Sequence, residues 1–228
     1  MKRKIGMIVA VEISALMRKY ADKLVLIKDK GFKVYSAEFD DKVLYIAHSG
    51  AGEIKAAAAT QMLIDLYDVE LIVNYGVVGA LTEEMKVAQT CIVEKVVHYD
   101  FDTSAADNCE VGRYFDYDSV YLRTTEKFIK TAIDIDSNIK KVVCASGDKF
   151  IADETKKAEL SKTFNADICD MESAAIVLVC LENDVPHFLI KTVSDSIKGG
   201  ATEFRATFEK TADVCISIVD KIISSCIL

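Results

Sequence analysis

Apolar and polar positions along this chain follow two rhythms. Residues 5–11 form an unbroken apolar run that ends at Glu12, the pattern of a strand buried on both faces. Residues 12–20 can then form a short helix. Residues 25–28, 32–39 and 43–48 alternate or run apolar between turn signals at Asp29-Lys30-Gly31 and Asp40-Asp41, which predicts a meander of three strands. Alanine-rich residues 54–67 predict a helix entered through Ser49-Gly50-Ala51-Gly52. Residues 71–73 predict another buried strand, opening into a loop over residues 74–81 whose two glycines let backbone pass close to a neighbour. Strands are expected at 90–97 and 141–145 and helices at 125–135 and 153–164, with a polar loop at 100–117 that is either solvated surface or the cover of a site or interface. Residues 174–181 are apolar all round and predict a buried helix; residues 188–193 predict a buried, parallel strand. From Thr202 a last helix carries Phe208, Ala212, Cys215, Val219 and Ile222 on one face, read as core packing. The alternation predicts a three-layer α/β fold, a mixed and mainly parallel central sheet with helices on both faces.

Composition narrows the function. With 228 residues, 51% hydrophobic, and no shift in composition, one domain over residues 1–228 is expected. A formal charge of −8 with interspersed Lys and Arg argues against nucleic acid as a partner. No run reaches the roughly 18–20 apolar residues of a membrane span. The basic start followed by residues 5–11 superficially resembles a signal peptide, but Glu12 cuts the apolar run short and no small-residue cleavage site follows, so a first strand is the better reading. Seven cysteines without a Cys-x-x-Cys pair, five of them in apolar segments, predict buried reduced thiols and a cytoplasmic location. Cys226 is third from the end, out of place for a prenylation box. His48, His98 and His187 have no zinc-like spacing, so neither metal nor cofactor is expected.

Two carboxylates stand out in residues 167–196. Glu172 opens the buried helix, where unpaired N–H groups and the macrodipole favour an ionised acid. Asp195 follows the buried strand, beyond whose carboxyl end ligands bind in open α/β sheets; desolvation and a nearby anion would suit it to carry a proton. Each has a purely structural alternative, a favourable first-turn residue and an N-cap. Phe150 taken alone is a core residue.

The segments Ile5-Gly6-Met7-Ile8-Val9-Ala10, Ser49-Gly50-Ala51-Gly52-Glu53-Ile54-Lys55-Ala56-Ala57, Asn74-Tyr75-Gly76-Val77-Val78-Gly79-Ala80-Leu81, Ser146-Gly147-Asp148-Lys149-Phe150-Ile151 and Asp170-Met171-Glu172-Ser173-Ala174-Ala175-Ile176 with Ser194-Asp195 occur in family order. Together they resemble the nucleoside phosphorylase superfamily, most closely its 5′-methylthioadenosine/S-adenosylhomocysteine nucleosidase branch. The resemblance implies cleavage of a purine–ribose bond through a ribosyl cation, by water in nucleosidases and phosphate in phosphorylases. It implies that Asp195 protonates the purine N7 and is positioned by Ser194. It also implies that Glu172 accepts hydrogen bonds from the ribose hydroxyls, Met171 lies against the sugar, Phe150 stacks on the base and the Ile151 backbone reads the base edge. The chemistry agrees, because a cation-like transition state gains from an anion on the sugar and a purine departs readily once its ring nitrogen is protonated.

The chain also departs from that branch. In the acidic run after the first strand Glu12 matches the first acid, while Ser14 stands in the water-activating place and cannot accept a proton near neutral pH. Either Glu12 reaches the water, or another nucleophile is used, or hydrolysis is slow. Lys191 stands where the nucleosidases have an arginine that would help bind substrate, and Val77 and Val78 make the second glycine loop more apolar. These departures keep open a phosphorylase that holds phosphate through Lys191, Arg18 or Arg205, and a nucleoside-binding protein with weakened catalysis. Family analogy further implies a homodimer in which the 100–117 loop helps close the neighbouring 5′ pocket.

Overall fold

The expected elements form, with some bounds moved: the first strand ends at Val9 instead of residue 11, and the second strand of the meander spans Lys33–Glu38 instead of 32–39. The computed structural model describes residues 2–225, so Cys226 lies outside the described residues. In chain order the elements are β1 (Arg3–Val9), α1 (Ile13–Tyr20), β2 (Leu24–Lys28), β3 (Lys33–Glu38), β4 (Lys42–His48), α2 (Glu53–Tyr67), β5 (Leu71–Ala80), β6 (Thr90–His98), α3 (Ser104–Asp107), β7 (Leu122–Arg123), α4 (Glu126–Ile135), β8 (Lys140–Ser146), α5 (Glu154–Phe164), β9 (Ile168–Asp170), α6 (Ser173–Glu182), β10 (His187–Asp195) and α7 (Gly200–Ser225). Among the described residues no helix is long and apolar enough to cross a membrane.

The sheet is mixed. Its long central ladders, β1 with β4, β5 with β10 and β6 with β8, are parallel. Antiparallel pairing builds the β2–β4 meander and the joins of β10 to β6 and β9 to β5. Those joins have a consequence that the hydrophobic pattern does not reveal. β5 pairs with β10, β10 with β6, β6 with β8, β8 with β9, and β9 returns to β5, so half of the sheet closes into a five-stranded ring.

Helices cover both faces. On one side α1, α4 and α7 bury Leu16, Phe128, Cys215, Val219 and Ile222 against Ile5, Val73 and Ile190 of the sheet. On the other, α2 and α6 pack Ala59, Leu63, Ile176 and Cys180 over Ile8, Val34 and Ile72. Of the face expected on α7, Ala212, Cys215, Val219 and Ile222 are buried, while Phe208 is half-buried and belongs to an aromatic row with Phe204. Cys91, Cys144, Cys169, Cys180 and Cys215 are buried free thiols, and Cys109 is a half-buried one.

Three differences from the sequence expectation concern the cleft. Residues 74–80, expected as a loop, continue β5. Gly76 and Gly79 there serve side-chain crowding, since a Cβ would stand 3.0 Å from Glu12 Oε1 at Gly76 and 3.2 Å from Asp195 Oδ2 at Gly79. β9, only three residues long, was not foreseen, nor was the two-residue β7. β10 runs on through Asp195, which ends the strand instead of following it.

Ile176 is fully buried between α6 and α2. Ile176→Ala should cost about 2–5 kcal/mol of unfolding free energy, measured by urea titration.

Candidate active site

The carboxyl ends of β5, β8, β9 and β10 meet at one rim of the ring, where Gly79 pairs with both Asp195 and Cys169, and Ser146 with Asp170. A cleft of about 710 Å³, counted out to its mouth, opens there. Its wall includes Glu12, Val77, Val78, Phe150, Ile151, Met171, Glu172, Ser194 and Asp195, nine of the ten residues singled out from the sequence as site residues. Glu172 and Asp195 therefore face one cavity.

Lys191 is the exception. It is 2% exposed and does not line the cleft; its Nζ lies 2.7 Å from Asp170 Oδ2, beneath the floor. A lysine on an all-buried strand reaches the nearest carboxylate, and here that is Asp170. Ser14, too, is elsewhere: it points along the surface, its Oγ 3.1 Å from both oxygens of Glu209. Arg18 pairs with Glu209 and Asp213, and Arg205 is an exposed residue of α7.

Asp170 anchors a buried polar node at the start of α6. The first N–H groups of any helix lack intrahelical partners. Here Ser173 N–H donates to Asp170 Oδ1 (3.3 Å), Ala174 N–H to Ser146 Oγ (3.1 Å) and Ala175 N–H to Glu53 Oε2 (2.6 Å). Ser146 Oγ also lies 2.5 Å from Glu53 Oε1 and 2.7 Å from Asp170 Oδ1. A hydroxyl has one proton to give, so one of those two carboxyls must bring its own. Burial, and then the charge of Asp170, pushes Glu53 up to about 8, which makes Glu53 the protonated partner. Burial also raises Asp170, but the Lys191 ammonium and hydrogen bonds from Lys191, Ser173 and Ser146 outweigh it and leave the acid below its ordinary value.

Glu172 immediately precedes the first helical residue of α6 and makes no side-chain cap bond there. Its Oε1 instead accepts Gly52 N–H at 3.0 Å, at the entry to α2, while Asp148 Oδ1 accepts the next amide, Glu53 N–H, at 2.8 Å. Gly52 sits at φ +107°, a conformation that L side chains rarely adopt. Glu172 is pulled both ways. Burial, followed by the nearby Asp170 charge, pushes it up to about 7, against the pull of Lys191 and Gly52 N–H.

Glu12 is 3% exposed, and its carboxylate accepts Val77 N–H at 2.9 Å and Val11 N–H at 3.0 Å. Burial raises its pKa, the two amides and Lys191 pulling back. Each carboxylate oxygen keeps a further lone pair for a water in the cleft.

Asp195 differs most from expectation. In place of a neighbouring anion it has a cation: Nζ of the fully buried Lys157 lies 2.5 Å from its Oδ2. Ser194 Oγ stands 2.9 Å from Asp195 Oδ1 and 3.1 Å from the Val78 carbonyl oxygen. Phe150 is 47% exposed and meets Phe204 of α7 edge-on, ring centroids 5.3 Å apart.

Sequence reasoning did not single out Lys157, Glu53, Asp170, Ser146 or Phe204. A signal existed for two of them. Lys157 sits on the stripe Lys157, Leu160, Phe164, where a buried helix face would carry an apolar residue. Glu53 is an acid in the first turn of α2, beside the Gly50-Ala51-Gly52 turn.

Residues 4–226 match the phosphorylase superfamily, and the chain belongs to it. An aminodeoxyfutalosine nucleosidase of Campylobacter jejuni is 31% identical over 174 residues, 75% of each chain. A 5′-methylthioadenosine/S-adenosylhomocysteine nucleosidase of Staphylococcus aureus is 29% identical over 226 residues, 96% of this chain and 99% of its own. Among solved structures, futalosine hydrolase of Helicobacter pylori superposes with a TM-score of 0.92 at 24% identity, covering 98% of both chains. A methylthioadenosine/S-adenosylhomocysteine nucleosidase of Neisseria meningitidis, in complex with methylthio-immucillin-A, superposes with a TM-score of 0.90 at 25% identity over 98% of this chain and all of its own.

Glu53 yields a pH test. Its folded-state pKa of about 8 lies above the ordinary 4.5, so between these values the unfolded chain has released a proton that the native state retains. Its contribution to stability is intact below pH 4.5 and lost as pH rises toward 8, at up to about 1.4 kcal/mol per pH unit. Glu53→Gln, which can still donate to Ser146 and accept from Ala175, should flatten that decline in urea titrations at pH 5, 6.5 and 8. An unchanged slope would place the proton elsewhere.

Proposed function

We propose that this chain is a purine nucleosidase, hydrolysing the bond between the base and the ribose of a 5′-substituted adenosine-like nucleoside. The relatives named as nucleosidases for methylthioadenosine, S-adenosylhomocysteine and aminodeoxyfutalosine support that substrate class. The observation that carries the reading is the balance of charge around the cleft. Glu12, Glu172 and Asp195 line it, while among the described residues its one lining cation is Lys149, 64% exposed and 3.5 Å from Asp100. Phosphate as nucleophile would need free cationic groups, and Lys191 and Lys157 are each occupied by a carboxylate. Water is the better-matched nucleophile.

In this reading the base lies against Phe150 and the Ile151 backbone, with its ring nitrogen at Asp195. A proton passes from the Asp195 carboxyl to that nitrogen, and the C–N bond breaks with its electron pair going to the base. Glu172 holds the ribose hydroxyls and, with Met171 against the sugar, stabilises the cation as it forms. Water adds to the anomeric carbon, Glu12 takes the released proton, and exchange through solvent returns it to Asp195. Ser14 has no part in this, because Glu12 itself reaches the cleft. A binding-only role is less apt, since both acid and base line the cavity.

The reading places the protein in purine and methionine salvage, in a reducing cytoplasm that the unpaired thiols fit. It also includes a homodimer. Ile54 on the first turn of α2 is 81% exposed and Phe115 in the 100–117 loop 84%, large apolar side chains that a second copy would cover.

In phosphate-free buffer methylthioadenosine should release adenine; release only on adding phosphate would overturn hydrolysis. In the same assay Asp195→Asn should abolish turnover with binding retained, Glu12→Gln should lower kcat by on the order of 10²- to 10⁴-fold, and Ser14→Ala should behave as the parent. Sedimentation should show a dimer that Phe115→Ser weakens, and a monomeric parent chain would remove the second copy from the reading.

A further inference from the structure

Lys157 is a fully buried lysine that the reaction above does not use. Its side chain is 0% exposed, although its helix α5 is otherwise mostly polar and exposed. An ammonium group loses its hydration in such a place and persists only when paired and hydrogen-bonded. Lys157 Nζ makes two such contacts, to Asp195 Oδ2 at 2.5 Å and to the Ser196 carbonyl oxygen at 2.8 Å. Room for them comes from Gly79, where a Cβ would stand 3.4 Å from Lys157 Nζ and 3.2 Å from Asp195 Oδ2. α7 grips the same three-residue segment from another side: Glu203 Oε2 accepts Ser196 N–H (2.6 Å) and Oγ–H (2.7 Å), and Thr207 Oγ1 donates to the Ser194 carbonyl oxygen (2.6 Å).

We propose that Lys157 is a positioning residue for the reaction: by holding Asp195 Oδ2 and the Ser196 carbonyl together, it turns the Oδ1 edge, which Ser194 reaches, toward the departing base. This rests on the reading of Asp195 as the acid. Lys157 has a second effect through the same contact. When the carboxyl gives its proton to the base nitrogen, the carboxylate left behind meets a cation already in place, so no solvent reorganisation accompanies the transfer. The proton released by the attacking water then restores the acid. Lys157 touches neither base nor sugar, so its effect falls on the chemical step and not on substrate capture.

The test uses the full chain, with methylthioadenosine as substrate and adenine release as readout, for Lys157→Met, Lys157→Gln, Asp195→Asn and the double variant Lys157→Met/Asp195→Asn. Misplacing a reacting group by about 1 Å can cost roughly 10²-fold, so Lys157→Met should lower kcat by about 10- to 100-fold while KM changes less than about threefold. Lys157→Gln keeps a donor for the Ser196 carbonyl oxygen but no charge; it should fall between parent and Met, and it carries the test if the Met variant does not fold. In the Asp195→Asn background the Lys157 change should have no further effect on any residual rate. A folded Lys157 variant with kcat within twofold of the parent, beside an inactive Asp195→Asn, overturns the positioning role while leaving the acid assignment intact. A lower melting temperature with unchanged kcat assigns Lys157 to stability alone and overturns it equally. An active Asp195→Asn would instead overturn the reading on which the proposal rests.

Discussion

The contact between Lys191 and Asp170 is the one on which the rest of the cleft depends. Both side chains are 2% exposed, and removing either would leave an uncompensated charge in the core, typically a loss of roughly 3–5 kcal/mol. The pair also has a structural consequence. With Lys191 holding one of its oxygens, Asp170 stays an acceptor for Ser146 and Ser173, and Ser146 in turn takes the Ala174 amide. The start of an almost wholly apolar helix is thus satisfied from outside its own sequence, and Glu172 at that start is released from capping to face the cleft.

The molecule manages the acids at its centre by a division of labour. Two lysines each neutralise one carboxylate, Lys191 on Asp170 and Lys157 on Asp195, and one carboxyl, Glu53, keeps its proton. The acids left without a lysine partner, Glu12 and Glu172, are held by backbone amides, from Val77 and Val11 in one case and Gly52 in the other. Amides fix a carboxylate without cancelling its charge, which leaves a cavity that favours growing positive charge in a bound molecule. A ribosyl cation is such a charge, and the proposed hydrolysis draws on that balance.

Glycine placement makes this density of side chains possible. Gly76 and Gly79 lie in β5 where a strand would ordinarily present side chains, and each leaves space for a carboxylate arriving from another segment, Glu12 from the end of β1 and Asp195 from the end of β10. The strand continues past Val73 to Ala80, and its pairing with β10 takes in both glycines.

The sequence by itself determined the order of the longer strands and helices and the buried character of α6 and β10, and it carries the five segments whose family resemblance pointed to nine residues that line the cleft. The elements are legible because apolar periodicity and glycine-rich turns are local properties of a chain, whereas most of the cleft residues were reached through the family resemblance that those segments carry. Tertiary structure alone decided the closure of the ring through the three-residue β9, the descent of Lys191 beneath the floor, the turn of Ser14 to the surface and the arrival of Lys157 at Asp195. Each depends on which distant group stands nearest: Asp170 is 21 residues from Lys191, and Asp195 is 38 from Lys157. A charged side chain buried by folding takes whatever counter-charge the packing brings within reach, and no periodicity along the chain records that choice.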